Sequence, residues 1–426
     1  MSSANLVARI RTQARKYRWC REFYHALRAR GLLGPGGGAH IIAEDRTGGE
    51  FGLETLRGDT LRRVERISGW YLPSGETRSD DRLEVTLDGE PVVGLIRCYR
   101  PDVAKTHPSN AWAVRAGFLG DVVLPDYVAA GSHVHLGIRR TAAATRETLF
   151  DRIFAVAEPP PVYTPRKTCF ELYEVLLDPA SGSPICGDAL AQPGDGGLRR
   201  IAGVPHFHPP GMQPIVRLSE EGPTHPYSAM AQHIIDSADG LVLDFGAGIQ
   251  AEDRLRPHVV NLDAIHFRNI DVVNSYATLP FRDCTFDSVI SQAVFEHLAD
   301  PFLASREILR VLKPGGTALI DTAFMQPFHA DPNHYFNMTI SGLRQVMRGF
   351  EIVEIGVQPY QQPSLGLLMQ AETILPLLGD SAWRSRVERI VRWLRAEGSR
   401  LDEALGPVGR EVLAAGVYVL ARKPRI

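Results

Sequence analysis

No run of apolar residues in this chain approaches the roughly 18 needed to cross a bilayer as a helix, so a transmembrane protein is not expected. Cysteine is scarce. Cys20, Cys98, Cys169, Cys186 and Cys284 are scattered, odd in number, and form no CxxC pair. That pattern suggests neither a zinc site nor a disulfide framework, and no metal is expected. An excess of charge is also lacking: a net −2 exerts no general pull on nucleic acid or anionic membrane. The first residues, MSSANLVARIRTQARKYRWC, have no apolar secretory core. The expectation is a cytoplasmic protein with reduced thiols and no nucleic-acid partner.

What is present divides into four parts. A chain of 426 residues is too long for one ordinary core. Residues 1–60 read as a basic, helical N-terminal segment: Arg9, Arg11, Arg15, Lys16, Arg18, Arg21, Arg28 and Arg30 interleave with Leu6, Ile10, Tyr17, Phe23 and Leu27. This is either a peripheral membrane or partner helix or a solvated face on a packed one. Residues 61–150 read as all-β, with a hairpin in RLEVTLDGEPVVGLIRC around Asp88-Gly89 and further strands at Ala113–Phe118 and His133–Ile138. Residues 157–225 are a Pro/Gly-rich linker, in which His206 and His208 are expected to be turn residues. From 226 to 426 strands alternate with helices, which predicts a doubly wound parallel sheet. Strands are expected near 240–245, 258–262, 270–274, 286–291, 316–321, 350–356 and 412–422. Helices are expected at 226–237, 300–312, 340–348 and around 365–406, the last within an insertion at 358–411.

The stretch LVLDFGAGIQ, residues 241–250, carries the chemistry. Gly246-Ala247-Gly248 and Asp263 fit a loose dinucleotide fingerprint. Asp244 speaks against that ligand, because a carboxylate ahead of the glycines repels a pyrophosphate and attracts an α-ammonium. A cation at the turn and a ribose at Asp263 together describe S-adenosylmethionine.

The following segment, DVVNSYATLPFRDCTFDSVISQAVFEHLADPFLASREILRVLKPGGTALI, resembles the class I S-adenosylmethionine-dependent methyltransferases of the "methyltransferase 11" type. The resemblance covers about residues 226–350 and the final strand, AAGVYVLARKP. It implies an α/β fold, a Rossmann-like seven-stranded methyltransferase domain. Its cofactor residues would be Asp244, Gly246, Ala247 and Gly248 at the methionine, Asp263 at the ribose, and Ala264, Ser275, Tyr276 and Leu279 around the adenine. Gln292 would face the donor. Ser275 stands where the family usually has an aspartate on the adenine amino group. Residues 62–140 resemble the small immunoglobulin-like β-sandwich modules of bacterial glycan-processing enzymes, either a sugar-binding face or a spacer or dimerisation module. LLDPASGSPICGDAL…GGLRRIAGVPHF resembles a zinc-ribbon-like segment, with Asp178-Pro179 and Ser181-Gly182 where its cysteines would be and hence no metal.

Roughly ten residues separate the glycine turn from the second strand, and fewer separate Asp263 from the third, whereas parallel crossovers need a dozen or more. The early helices should therefore be shortened, leaving a flank of the sheet to be covered by the ribbon-like segment, the sandwich or a second subunit. Methyltransferases of bacterial surface-polysaccharide synthesis show a similar shortening. On the acceptor side, His297, His329 and His334 are candidate general bases, or else cap or brace their turns. Glu296, Asp331 and Tyr335 are candidate substrate residues. The insertion is a lid or a dimer helix pair. The expected function is methyl transfer from S-adenosylmethionine to a small or glycan acceptor hydroxyl. The rivals are a quinone, polyketide or lipid-linked acceptor, and a non-catalytic glycan-binding or scaffold protein.

Overall fold

A computed structural model describes residues 41–44, 50–56, 58–73, 82–98, 100–107, 110, 113–125, 128–142, 145–157, 166–167, 172–185, 198–220, 226–329, 333–378 and 382–425. The basic helix expected at residues 1–30 lies outside them, as do Cys186 and Asp331. Among the described residues no helix is long and apolar enough to cross a membrane. The chain falls into two compact units. Unit one holds residues 1–226, 248–255 and 262–276; unit two holds 227–247, 256–261 and 277–426.

Unit one begins with strands β1 (Ile41–Glu44), β2 (Glu50–Leu53) and β3 (Thr60–Leu61). The described part of the segment expected to be helical therefore holds strands and no helix. Runs of two to four residues are too short to show a period-2 pattern in sequence. Next come β4 (Val64–Leu72), β5 (Arg82–Leu87), β6 (Glu90–Cys98), the short helix α1 (Pro101–Thr106), β7 (Gly117–Val123), β8 (His133–Ala142) and β9 (Thr145–Val156). The order is β1-β2-β4-β7-β6-β5-β8-β9-β3. The β5–β6 hairpin turns at Asp88 and Gly89, both with positive φ, as the Asp-Gly pair predicts. β6 pairs with β5 through its first half and with β7 through its last three residues, so it serves two sheets. Their inward faces share one core that includes Phe51, Ile67, Phe118, Val85, Leu136 and Phe154.

Residues 157–225 do more than link. They supply β10 (Leu198–Ile201), β11 (Val204–Phe207) and β12 (Ile215–Val216), and Ile201, Val216 and Leu218 enter the same core. At the ribbon-like positions, the Asp178 carboxylate accepts from Ala180 N and the Ser181 hydroxyl, which makes a self-contained turn.

Unit two starts with helix α2 (Ala229–Ser237), capped by the Ser228 hydroxyl on Ala231 N, and strand β13 (Val242–Phe245). Strand β14 (Val259–Asp263) gives its first three residues to this unit and its last two to unit one. The run from 248 to 276 then adds, within unit one, a single 3-10 turn at Glu252–Arg254, β15 (Ile265–His266) and β16 (Val272–Asn274). No helix lies between β14 and β16, in line with the short spacing. Instead β11 pairs in parallel with β16, and β12 lies between β15 and β6. Asp271, wholly buried, is ion-paired with Arg166 and Lys167.

Unit two continues through β17 (Phe286–Gln292), helix α3 (Pro301–Val311), β18 (Leu312–Ala323), helix α4 (Ile340–Val346), β19 (Glu351–Gly356), helices α5 (Pro363–Ile374) and α6 (Ala382–Leu413, broken by a kink at Gly406), and β20 (Gly416–Arg422). Its strand order is β14-β13-β17-β18-β20-β19. β13, β17 and β18 run parallel, while β20 is antiparallel between β18 and β19. Asp300 starts α3 by accepting from Leu303 N, with Pro301 at the first helical position. The helices of the insertion pair through Ala371, Leu375 and Val391 and through the Asp402 carboxylate on Ser364.

Candidate active site

In unit two, Asp244 is the penultimate residue of β13 and is 3% exposed. The Tyr227 hydroxyl donates to its Oδ2 at 2.6 Å, which fixes the carboxylate at the mouth of the glycine turn. Gly246 has φ +78°, and a Cβ there would meet Val294 Cγ2 at 2.2 Å. Ala247 is buried. In unit one, Gly248 N donates to Asp263 Oδ2 and Ile265 N to Asp263 Oδ1, each at 2.9 Å. Asn269 bonds Gly248 O and Gln250 N at 3.0 and 3.4 Å and so braces the loop. Ala264 is exposed.

Ser275 is not isolated. Its Oγ lies 2.9 Å from His208 Nδ1, His208 Nε2 lies 3.1 Å from His206 Nδ1, and His206 Nε2 lies 3.0 Å from His266 Nδ1. The expected turn residues thus form a chain of imidazoles inside unit one. Burial, with Arg199 also contributing, pulls His208 down to about 4; burial pulls His266 down to about 3. Burial first, then the neighbouring histidines, holds His206 well below its usual range. The chain is neutral at physiological pH. Tyr276 is half-buried, its backbone held by Asn274.

The Leu279-Pro280-Phe281 run in unit two is clamped from α3. Glu307 accepts from Leu279 N at 2.8 Å, and Arg310 donates to Leu279 O at 2.9 Å and to Phe281 O at 2.6 Å. Arg310 and Glu307 pair with each other at 2.7 Å. An i, i+3 acid–base pair is visible in the sequence, but its target is not.

At the end of β17, Gln292 accepts from Ser228 N and donates to Asp321 Oδ2 and the Tyr360 hydroxyl. Asp321, two residues before the end of β18, also accepts from Ala293 N and from the Tyr360 hydroxyl. Burial pushes Asp321 up to about 6. Ala293 has φ +55°, a left-handed conformation that non-glycine residues adopt at a cost. Sequence reasoning missed Tyr227, Asp321 and Tyr360. The signal for Asp321 was an acid directly after an apolar run, as at Asp244.

The turn Phe295–His297 carries two of the residues expected on the acceptor side, Glu296 and His297. Glu296 is wholly buried. Its Oε2 accepts from the Thr322 hydroxyl at 2.9 Å, and its Oε1 has no hydrogen-bond partner among the described residues. Burial pushes the carboxyl up to about 7. His329 Nε2 lies 3.9 Å from Glu296 Oε1. The rings of His297 and His329 are 5.0 Å apart, and those of His329 and His334 4.3 Å. His334 is engaged on both sides: Nδ1 accepts from His329 N, and Nε2 faces Phe336 O and Asn337 Oδ1. Tyr335 is exposed, with its backbone N on Glu296 O.

Residues 243–320 match the family model described as "Methyltransferase domain". An uncharacterized methyltransferase of Mycobacterium sp. (strain KMS) is 42% identical over 55 residues, 13% of this chain and 22% of that protein. The uncharacterized protein YafE of Escherichia coli (strain K12) is 44% identical over 68 residues, 16% of this chain and 32% of that one. The chain thus spans about a fifth to a third of the length of these relatives. A solved structure, Haemonchus contortus phosphoethanolamine N-methyltransferase 2 in complex with S-adenosyl-L-methionine, aligns with TM-score 0.29 and 17% identity over 46% of this chain and 52% of that one.

Proposed function

We propose that this protein is a methyltransferase that uses S-adenosylmethionine as donor. The observation that carries the reading is the matched methyltransferase segment opening on a buried, Tyr227-held Asp244 followed by Gly246 in a conformation a side chain would block. A carboxylate at that point favours the ammonium of a methionine moiety over a phosphate. Asp263 binds the ribose diol, Ser275 and Tyr276 lie at the adenine, and Gln292 faces the donor. Among the histidines, His297 and His329 serve the acceptor, while His334 braces its loop. Titration calorimetry with S-adenosylmethionine tests the reading. Micromolar binding that is lost in Asp244→Ala supports it, and absence of binding to the wild type sinks it.

The acceptor is a glycan or sugar-containing hydroxyl. This rests on the all-β part of unit one, read as an immunoglobulin-like glycan-binding module, and on the shortened crossovers around β15; both are analogies rather than site chemistry. A labelled-methyl screen against sugar nucleotides and lipid-linked saccharides tests it, and label appearing only on quinones or lipids would replace it. The reaction is an in-line displacement from a sulfonium, so positioning can supply much of the acceleration.

A further inference from the structure

We propose that Glu296, His297 and His329 form a binding site for one divalent transition-metal ion, of which zinc is the reference. One ligand atom from each of the three lies within 4.8 Å of the others. Bonds of about 2.1 Å to a tetrahedral ion place its ligands roughly 3.4 Å apart, so small side-chain rotations complete the set. Two imidazoles and a carboxylate suit zinc and its first-row neighbours, and not magnesium or calcium, which prefer oxygen alone.

Two further observations point to a ligand. The first is Glu296 Oε1, buried, without a hydrogen-bond partner among the described residues, and 3.9 Å from His329 Nε2. A buried carboxylate oxygen left unpaired is costly, and a cation at this point removes the cost. The second is the orientation of the two rings. His297 Nδ1 faces Asn333 O and His329 Nδ1 faces Pro327 O. Carbonyls only accept, so a neutral ring held this way carries its proton on Nδ1. A backbone carbonyl behind the protonated nitrogen is the usual support of a metal-ligating histidine. Thr322 holds the other oxygen of Glu296 in the same way. Both histidines are partly exposed, which leaves coordination positions on the open side. The scarcity of cysteine conceals the site from a motif search, because adjacent Glu-His and a histidine 32 residues later match no common spacing.

The binding claim stands on unit two alone; its use in catalysis rests on the methyl-transfer reading. There the acceptor hydroxyl takes an open position on the ion and loses its proton to solvent water. The oxygen then forms a bond to the donor methyl carbon as the carbon–sulfur bond breaks. The electron pair stays on sulfur, leaving neutral S-adenosylhomocysteine. The ion lowers the acceptor's pKa, and no histidine then needs to act as base.

The test uses the full chain, stripped with a chelator and without S-adenosylmethionine. Calorimetry with Zn²⁺ should show one equivalent bound at micromolar affinity or better, and Mg²⁺ should show none. Co²⁺ should give visible absorption bands that Zn²⁺ abolishes. Glu296→Gln and His329→Ala should each weaken Zn²⁺ at least about tenfold, the lower end of what even an outer partner contributes, with melting in chelator showing that both variants fold. Wild-type stoichiometry below one, or affinity unchanged in both folded variants, overturns the proposal. Calorimetry of S-adenosylmethionine on the same stripped protein separates the two claims, since donor binding requires none of the three ligands.

Discussion

Gly246 is where backbone and side chains leave the least room. Its φ of +78° and the 2.2 Å approach of Val294 mean that Gly246→Ala strains the turn and displaces Val294 together. The expected cost is about 1–3 kcal/mol, read in a thermal melt, with donor affinity falling at least tenfold by calorimetry. Tyr227→Phe removes only the hydroxyl on Asp244. A hydrogen bond to a charged group contributes about 1.5–3 kcal/mol, so donor affinity should fall while the melt moves by a few degrees; unchanged affinity would show that Asp244 needs no orienting partner. The glycines and Asp244 were legible because a strand-to-turn junction restricts residue type over neighbouring positions. Tyr227 was not, since a tyrosine ahead of a helix is ordinary until its partner 17 residues on is known.

At the level of elements, the Leu279–Phe281 run is held by a fork on α3 rather than by its own conformation. Arg310 reaches two carbonyls, Glu307 and Asp283. Lysine carries charge without the planar fork, so Arg310→Lys should lose about 2–4 kcal/mol, measured as a shift in the urea midpoint, and a shift below a few tenths of a molar would refute the clamp. The imidazole chain of His206 on β11, His208 just beyond it and His266 on β15 gives a pH dependence with a definite sign. Unfolded histidine takes up a proton near 6.5, whereas His208 and His266 resist until about 4 and about 3. Their contribution is therefore complete above about 6.5 and is lost as pH falls below it, on the order of 1 kcal/mol per histidine per pH unit. His266→Gln should flatten the dependence of the urea midpoint between pH 6.5 and 4.5, and a parallel curve would count against the chain. The long elements β17, α3 and β18 were legible because apolar periodicity accumulates over many residues. β12 and β15, two residues each, are specified by tertiary pairing and leave no local pattern. The same holds for His206 and His208: proline and glycine around them suggested turns, but pairing with β16 puts His206 in a strand.

For the whole molecule, the interleaving of the two units is decisive. Residues 248–255 and 262–276, which carry Gly248, Asp263 and Ser275, belong to the unit that starts the chain. A cut at 226, where the sequence suggests a domain boundary, strips β16 of β11, β15 of β12, and Asp271 of Arg166 and Lys167. A fragment of residues 226–426 should therefore fail to fold cooperatively or to bind donor, and co-expression with residues 1–225 should restore both; calorimetry and circular dichroism of the fragment alone and with its complement check this. The shortened crossovers were legible from spacing alone. Which segment replaces the missing helices was not, because β11 and β12 carry no signal of their destination.

The order of synthesis makes that interleaving a matter of timing. A ribosome releases β11 and β12 well before β15 and β16, so two strand edges wait unpaired while the intervening chain is made. An unpaired edge is a template for the wrong strand. The proline and glycine around β10–β12, which in sequence look like the mark of a linker, sit where a nascent chain most needs protection from premature pairing.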